Sequence, residues 1–553
     1  MRNVIQKYDT YFVALWAVML FIPFLGSVHL FDWDEVNFAE SAREMLVSGD
    51  YQRVTINFLP FMEKPPLFFW LQALSMKLFG VNEFAARLPN AIVGIVTLLF
   101  VFQIGKKWFS TRFAWLWVLM ITGSLTPHLY YKTGIIDPLY NLFIFAAIYR
   151  MFLYVLNPTA KHAVIMGTFL GFAIITKGPV AVLVTLLCFL IYWALQKFKR
   201  FFEYQHLFYV AISALGVSAL WFGPETLQNG PKFLLEFIKY QIDLFVNPVA
   251  GHGQPFYYHP VVLLLGCFPA SVFAMPMLFK RNLLESESEK QVLINFMLLF
   301  FWVVLVLFSI VETKIVHYSS LCYLPLSFLA AQFMDQWQEA KLKCYSYQIV
   351  LFGIIGIVLS TLFIVLPEID YFKSELLPYI KDDFAKASLM VEGTWLGYEG
   401  VLGILLLNMV IYYVVMMFRK QLYTAGLRFL IFNSFVIPSL LVLFAPRIER
   451  YSQGPAIQFF ESLQAKDVYV ETLGYKSYAQ YFYSRTPQHT NPNASNTQWL
   501  LFGQTDKDAY FSVHCNNTQD HVNNSMIELK REGGFIFYLR PAADTTLKSI
   551  VKP

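Results

Sequence analysis

The sequence predicts a polytopic α-helical membrane protein of about thirteen transmembrane helices, with juxtamembrane helices and a small soluble α/β domain on its outer side. Three observations lead there. Of 553 residues, 57% are hydrophobic and only 14% charged, against roughly 25% charged in a soluble domain. Apolar runs long enough to cross a hydrocarbon core of about 30 Å recur along the first 445 residues. From about residue 446 short alternating segments replace them. A soluble core of this size cannot bury so much apolar surface, which excludes an ordinary cytosolic, disordered or nucleic-acid-binding protein.

The runs fall near 10–30, 87–105, 113–130, 137–156, 161–176, 179–196, 206–223, 259–279, 293–311, 315–334, 347–366, 397–418 and 428–445. Those at 161–196 are parted only by Thr176-Lys177-Gly178-Pro179, a turn signal. Lys106, Lys107 and Arg112, then Lys197, Lys199 and Arg200, then Lys280 and Arg281, then Arg419, Lys420 and Arg428 share one side, which the positive-inside rule makes cytoplasmic. The N-terminus then lies inside, the first run reads as a retained anchor, and everything after Pro446 lies outside. Two domains follow: a transmembrane domain over 1–445, including external loops 31–86 and 224–258, and a soluble domain over 446–553. The net charge of +5 reflects the basic loops and needs no anionic partner.

Within the first external loop, residues 35–46 place Phe38, Ala39, Ala42, Met45 and Leu46 on one face, an amphipathic helix suited to the membrane interface. Residues 65–79 are apolar but too short to cross, so they are expected at the interface or packed on the bundle. In the last domain, Asp467–Leu473 and Phe535–Leu539 alternate like strands, and Trp499–Phe502 is a short apolar run. Three of the five cysteines, Cys188, Cys267 and Cys322, lie in apolar runs, leaving Cys344 and Cys515 isolated. Neither a disulfide framework nor a cysteine metal site is expected.

Polar residues near the outer face carry the functional argument. Asp32, Asp34 and Glu35 follow the first run, as helix-capping acids or as functional carboxylates. Lys64 precedes Pro65-Pro66, Lys177 precedes Gly178-Pro179, and Lys314 opens the tenth run. Each lysine then sits beside an outward helix N-terminus, where a phosphate binds well, although a single lysine there equally fits simple snorkelling. Asp137-Pro138 begins the fourth run as an N-cap or as a second acid. His252, Gln254, Tyr258 and His259 close the long external loop. His317 follows Lys314 by three residues, so on a helix the two share a face. Two histidines seven residues apart make a poor metal site; no metal or cofactor is expected, with a divalent cation left open.

These strings resemble the GT-C membrane glycosyltransferases of the protein mannosyltransferase (PMT) class, closest to the bacterial aminoarabinose transferase (ArnT)-like enzymes. The matching strings are Asp34-Glu35 with Ala42-Arg43-Glu44-Met45, Glu63-Lys64-Pro65-Pro66-Leu67, Asp137, Thr176-Lys177-Gly178-Pro179, His252 with Pro255-Phe256-Tyr257-Tyr258, and Glu312-Thr313-Lys314. They stand in family order over about the first 320 residues. Ile315-Val316-His317-Tyr318 departs from the family's Leu-Pro-x-Tyr, so the helix start there is expected to differ. Tyr475-Lys476-Ser477-Tyr478-Ala479 is similar to a stretch of such enzymes' C-terminal domains.

The resemblance implies inverting sugar transfer from a polyprenyl-phosphate donor to a lipid (lipid A-like), glycan or protein acceptor, on the periplasmic face of a bacterial inner membrane. The candidate catalytic residues are Asp34, Glu35 and Asp137; the candidate donor-phosphate residues are Lys64, Lys177, His252, Lys314, His317 and Tyr258. Membrane lipids are partners and nucleic acid is not. A transporter or flippase of lipid-linked sugars is the alternative. It would show repeated halves with midplane polar residues, whereas these charges cluster on one side.

Overall fold

The computed structural model describes residues 2–246, 253–279, 288–338, 345–392, 395–419, 421–517 and 524–543. The chain begins with α1 (Arg2–Phe21), and a run of turns leads into α2 (Asp34–Ser48), a small hairpin of β1 (Thr55–Ile56) and β2 (Leu59–Pro60), and α3 (Leu67–Phe79). The bundle continues with α4 (Glu83–Trp108), α5 (Thr111–Thr122), α6 (Leu125–Tyr130), α7 (Asp137–Leu156), α8 (Ala160–Ile174), α9 (Val180–Leu195) and α10 (Tyr204–Asn229). Asn82, Ser110 and Thr159 cap α4, α5 and α8 by accepting from backbone N–H groups of the first turn. Next come α11 (Lys232–Val246), α12 (Tyr258–Gly266), α13 (Ala270–Leu278), α14 (Glu289–Ile310), a 3₁₀ helix over Val316–Cys322 and α15 (Tyr323–Gln338). Then follow α16 (Ser346–Val365), α17 (Ile369–Leu376), α18 (Asp383–Leu389), α19 (Gly400–Phe418) and α20 (Leu422–Tyr451).

Each of the thirteen apolar runs carries one helix or two consecutive ones, and seven long helices among the described residues are apolar enough to cross a membrane by themselves. The run at 113–130 breaks at Gly123-Ser124 and that at 259–279 before Pro269, where hydropathy registers no interruption. Helices α10, α16 and α19 expose Leu215, Leu220, Val350, Ile354, Leu362, Val401 and Ile404, a surface that suits lipid and not water. Chain direction separates the two ends of the bundle. Helix α7 starts and α8 ends at the Asp137–Lys177 ion pair, whereas the Lys197–Arg200 turn lies at the far end of α9. At that far end Lys106 pairs with Asp9 (3.3 Å) and Arg112 with Asp335 (2.6 Å).

The last part comprises α21 (Gly454–Glu461), β3 (Tyr469–Leu473), α22 (Ala479–Ser484), α23 (Thr497–Phe502), β4 (Ala509–His514), β5 (Ile527–Glu532) and β6 (Phe535–Arg540). The sheet order is β3-β4-β6-β5, with β3 parallel to β4 and the remaining pairs antiparallel. Leu500 and Leu501 of α23 cover one face with Phe511, Val513 and Ile536, while Phe459 of α21 stacks on Phe537 at 4.2 Å on the other. Trp499–Phe502 is thus helical. Helix α20 runs unbroken through residues 445 and 446, and α21 follows it from Gly454.

Helix α2 corrects an expectation. It does not lie at a membrane interface with a wet polar face, because Glu35 through Met45 are all buried. The C-terminal domain covers the polar side: Arg43 donates to Thr486 O (2.8 Å), Leu30 N–H to Tyr483 Oη (2.6 Å), and Arg485 to Val81 O (2.6 Å). Helix α3 packs Phe68, Phe69, Gln72 and Met76 inward and exposes Leu74, Leu78 and Phe79, so it lies against the bundle.

Candidate functional site

Several chain segments converge at the end of the bundle opposite the basic loops, around a cavity of about 700 Å³. Asp34 enters from the start of α2 and Lys64 from just before α3. Asp137 starts α7, Lys177 precedes α9, and Lys314 and His317 come from the segment after α14. Tyr258 at the start of α12 joins them. Seven of the nine residues predicted for the site therefore line one space. His252 lies outside the described residues.

Glu35 is the exception and changes role. Its side chain is buried against Arg87, which donates from Nε (2.9 Å) and Nη2 (2.8 Å), and it also accepts from the N–H groups of Phe31 and Gly134. Burial alone would raise its pKa, but the Arg87 charge and these donors outweigh that and hold the carboxyl below its usual range. Arg87 further donates to the carbonyls of Leu25, Val28 and His29. Glu35 thus holds the 25–35 segment from behind and is not among the residues that line the cavity.

The cations have unequal surroundings. Lys177 Nζ lies 2.6 Å from Asp137 Oδ1 and 5.6 Å from the Tyr318 ring centre. Gly178 beside it has φ +133°, and a Cβ there would approach Phe237 Cζ to 2.9 Å, so only glycine fits the turn that presents Lys177. Lys64 Nζ is 3.8 Å from Glu63 and 4.9 Å from the Tyr240 ring centre. Burial, with the Glu63 charge beside it, pushes the Tyr240 hydroxyl up and keeps it protonated. Lys314 is 5% exposed and forms no ion pair or hydrogen bond among the described residues. Its side chain lines the cavity, where the ammonium can meet an entering anion.

Asp34 and His317 Nε2 sit 3.6 Å apart, and Tyr130 Oη and His317 Nδ1 share a hydrogen bond at 2.5 Å. The expected shared helical face of Lys314 and His317 does not form, because Lys314 precedes the 3₁₀ helix that carries His317. The missing proline of the Leu-Pro-x-Tyr pattern is in keeping with that local geometry. Among the described residues no three His, Cys, Asp or Glu side chains converge as metal ligands.

Among the lining residues that sequence reasoning missed are Glu63, Asn141, Tyr240 and Lys476. Glu63 stood inside a quoted string without a role; Tyr240 and Asn141 had no signal beyond position; and Lys476 reaches the cavity from the C-terminal domain. Lys476 Nζ is 4.7 Å from the Trp33 ring centre and 5.5 Å from that of Tyr478.

With this geometry in hand, comparisons place the chain among known proteins. The sequence profile of the family described as dolichyl-phosphate-mannose-protein mannosyltransferase matches residues 63–221. An undecaprenyl phosphate-α-4-amino-4-deoxy-L-arabinose arabinosyl transferase of Proteus mirabilis is 28% identical over 63% of this chain and 62% of its own length. Its Serratia proteamaculans counterpart is also 28% identical, over 66% and 67%. The matched part thus spans under two thirds of the Proteus relative's length. The crystal structure of ArnT from Cupriavidus metallidurans bound to undecaprenyl phosphate superposes with a TM-score of 0.75 at 18% identity, covering 97% of this chain and 99% of that one. The chain is thus similar to the dolichyl-phosphate-mannose-protein mannosyltransferase family over residues 63–221 and to bacterial aminoarabinose transferases over about two thirds of its length, and it shares the membrane fold of ArnT.

Proposed function

We propose that the protein is an inverting glycosyltransferase that takes a sugar from a polyprenyl-phosphate donor on the outer face of a bacterial inner membrane. The observation that carries this reading is Lys314, a buried cation without an anionic partner among the described residues, in one cavity with Lys64, Lys177 and Asp34. The bound undecaprenyl phosphate of the Cupriavidus structure and the donors named for the relatives support a lipid-phosphate ligand. The transporter alternative has no support among these relatives.

In the reaction an acceptor oxygen forms a bond to the anomeric carbon as the bond to the phosphate oxygen breaks, inverting the centre. Negative charge grows on the departing phosphate. Lys314 and Lys64, fixed in a water-poor space, stabilise that charge more in the transition state than in the ground state. Lys177, already matched by Asp137, orients the phosphate at lower net charge. With a hydroxyl acceptor Asp34 is the general base, oriented by His317. With a phosphate acceptor no deprotonation is required, and Asp34 orients the sugar or stabilises oxocarbenium-like charge. Lipid A-like acceptors are favoured over glycan or protein by the likeness to aminoarabinose transferases.

The test offers purified protein in lipid radiolabelled polyprenyl-phosphate sugars with a membrane extract as acceptor. Wild type transfers label to a new product, and Asp34→Asn slows this by about 10² to 10⁴ if the acceptor is a hydroxyl. Full activity in a folded Asp34→Asn protein removes Asp34 from the mechanism. Label that crosses the bilayer on its carrier removes the transferase reading.

A further inference from the structure

The donor chemistry above draws all its cations from the membrane bundle, yet the cavity has a fourth lysine from the C-terminal domain. Lys476 stands on the turn between β3 and α22, exposed and lining the cavity, and forms no ion pair or hydrogen bond among the described residues. Two aromatic rings hold it instead, Trp33 at 4.7 Å and Tyr478 at 5.5 Å, with the rings of Trp33 and Tyr478 edge to face at 5.7 Å. Trp33 is 40% exposed and immediately precedes Asp34. A cation fixed over an indole, beside a free aromatic face, suits a sugar carrying an anionic group.

The turn is registered to the Asp34 segment. Asp32 lies beside the Ser477 hydroxyl and the Tyr478 backbone N–H. Its own N–H donates to Gln453 Oε1 (2.9 Å), and Gln453 Nε2 donates to Leu30 O (2.9 Å). The short stretch 30–34 therefore sets the distance between Lys476 and Asp34, whereas Lys64, Lys177 and Lys314 are placed by other helices.

We propose that Lys476 and Trp33 form the acceptor subsite, with Lys476 the specificity-determining cation for a phosphate on a sugar headgroup presented to Asp34. The C-terminal domain then supplies acceptor selection, and the bundle supplies the donor site. This rests on the glycosyltransferase reading above.

The experiment measures binding and transfer separately, on full-length protein in nanodiscs, for wild type, Lys476→Glu, Lys476→Gln and Lys476→Arg, each checked by melting. The probes are bisphosphorylated lipid A, its dephosphorylated form and undecaprenyl phosphate. Lys476→Glu should weaken bisphosphorylated lipid A about tenfold or more while undecaprenyl phosphate stays within about twofold. Lys476→Gln should lose the preference for the phosphorylated acceptor, and Lys476→Arg should keep it. In transfer assays the same variants should raise the KM for acceptor and not for donor. The proposal is overturned if undecaprenyl phosphate weakens equally, if both lipid A forms weaken equally, if neither changes, or if wild type binds no lipid A. Lipid A binding that depends on Lys476 in a protein that moves no sugar would instead retain the subsite and reject the transferase reading.

Discussion

Glu44→Gln should remove much of the alkaline loss of stability in this protein. Glu44 is 0% exposed on α2, beneath the C-terminal domain. Its Oε2 accepts from Thr55 Oγ1 (2.6 Å) and Phe58 N–H (3.0 Å), and its Oε1 has no hydrogen-bond partner among the described residues. Arg43 is committed to Glu40 through Nε (2.7 Å) and Nη2 (2.6 Å). Burial and then the Glu40 charge push the Glu44 carboxyl up to about 8, against the opposing pull of Thr55, Phe58 and Arg43. The folded pKa lies above the unfolded value of 4.5, so the stability Glu44 contributes is complete below pH 4.5 and is lost as the pH rises through 8. Between pH 6 and pH 8 the linkage amounts to about 2 kcal/mol. At roughly 2 cal/mol/K per residue, that is about 2 °C in melting temperature if the whole chain unfolds together, and more for a smaller unit. Glutamine can still accept from Thr55 and Phe58 and cannot ionise. Melting of wild type and Glu44→Gln at pH 6, 7 and 8 in one detergent isolates this group, because other titrations cancel in the difference. Parallel pH profiles for the two proteins would refute the argument.

Arg87→Ala strands the buried Glu35 carboxylate and should cost about 3–5 kcal/mol, seen as lost yield or a lower melting temperature, and Glu35→Gln added to it should recover part of the loss. Gly403→Val should lower melting without changing substrate KM. A Cβ at Gly403 would lie 2.7 Å from Ile364 N and 2.8 Å from Phe363 C, backbone atoms of the neighbouring helix that cannot rotate away, a clash of about 1–3 kcal/mol or more.

The sequence was informative where local chemistry and fold agree. Lys177 ahead of Gly178-Pro179 and Lys64 ahead of Pro65-Pro66 marked helix starts near the cavity, because proline and positive-φ glycine leave little choice of backbone. It was misleading at α2, where apolar and polar faces spelled an interfacial helix. The pattern could not reveal that Arg43 on the polar face meets Thr486, or that the flanking Leu30 and Asn57 meet Tyr483 and Tyr481, more than 400 residues away. The same blindness hid the role of Glu35, since Asp34 and Glu35 look alike in sequence and diverge only because Arg87 sits behind one of them. Tyr240 and Lys476 reach the cavity from α11 and from the C-terminal part of the chain, distances that no periodicity encodes.

The charge balance of the cavity has a further consequence for turnover. On the donor side Lys177 pairs with Asp137 and Lys64 lies 3.8 Å from Glu63, leaving the positive charge of Lys314 in excess among these bundle lysines. A sugar linked to polyprenyl phosphate is a diester with a single negative charge, which this excess neutralises. The product is a monoester whose second ionisation falls at about pH 6, so above that pH it carries close to two charges. A site built to meet charge that appears during transfer must then hold its product more tightly than its donor. Undecaprenyl phosphate should accordingly inhibit competitively, and its affinity should rise between pH 5 and pH 7.5. Lys314→Met should flatten that rise, because Lys314 is the bundle cation whose charge is matched by no carboxylate among the described residues. An affinity independent of pH in wild type, or a pH rise that survives Lys314→Met, would place the developing charge away from Lys314 and return that role to Lys64.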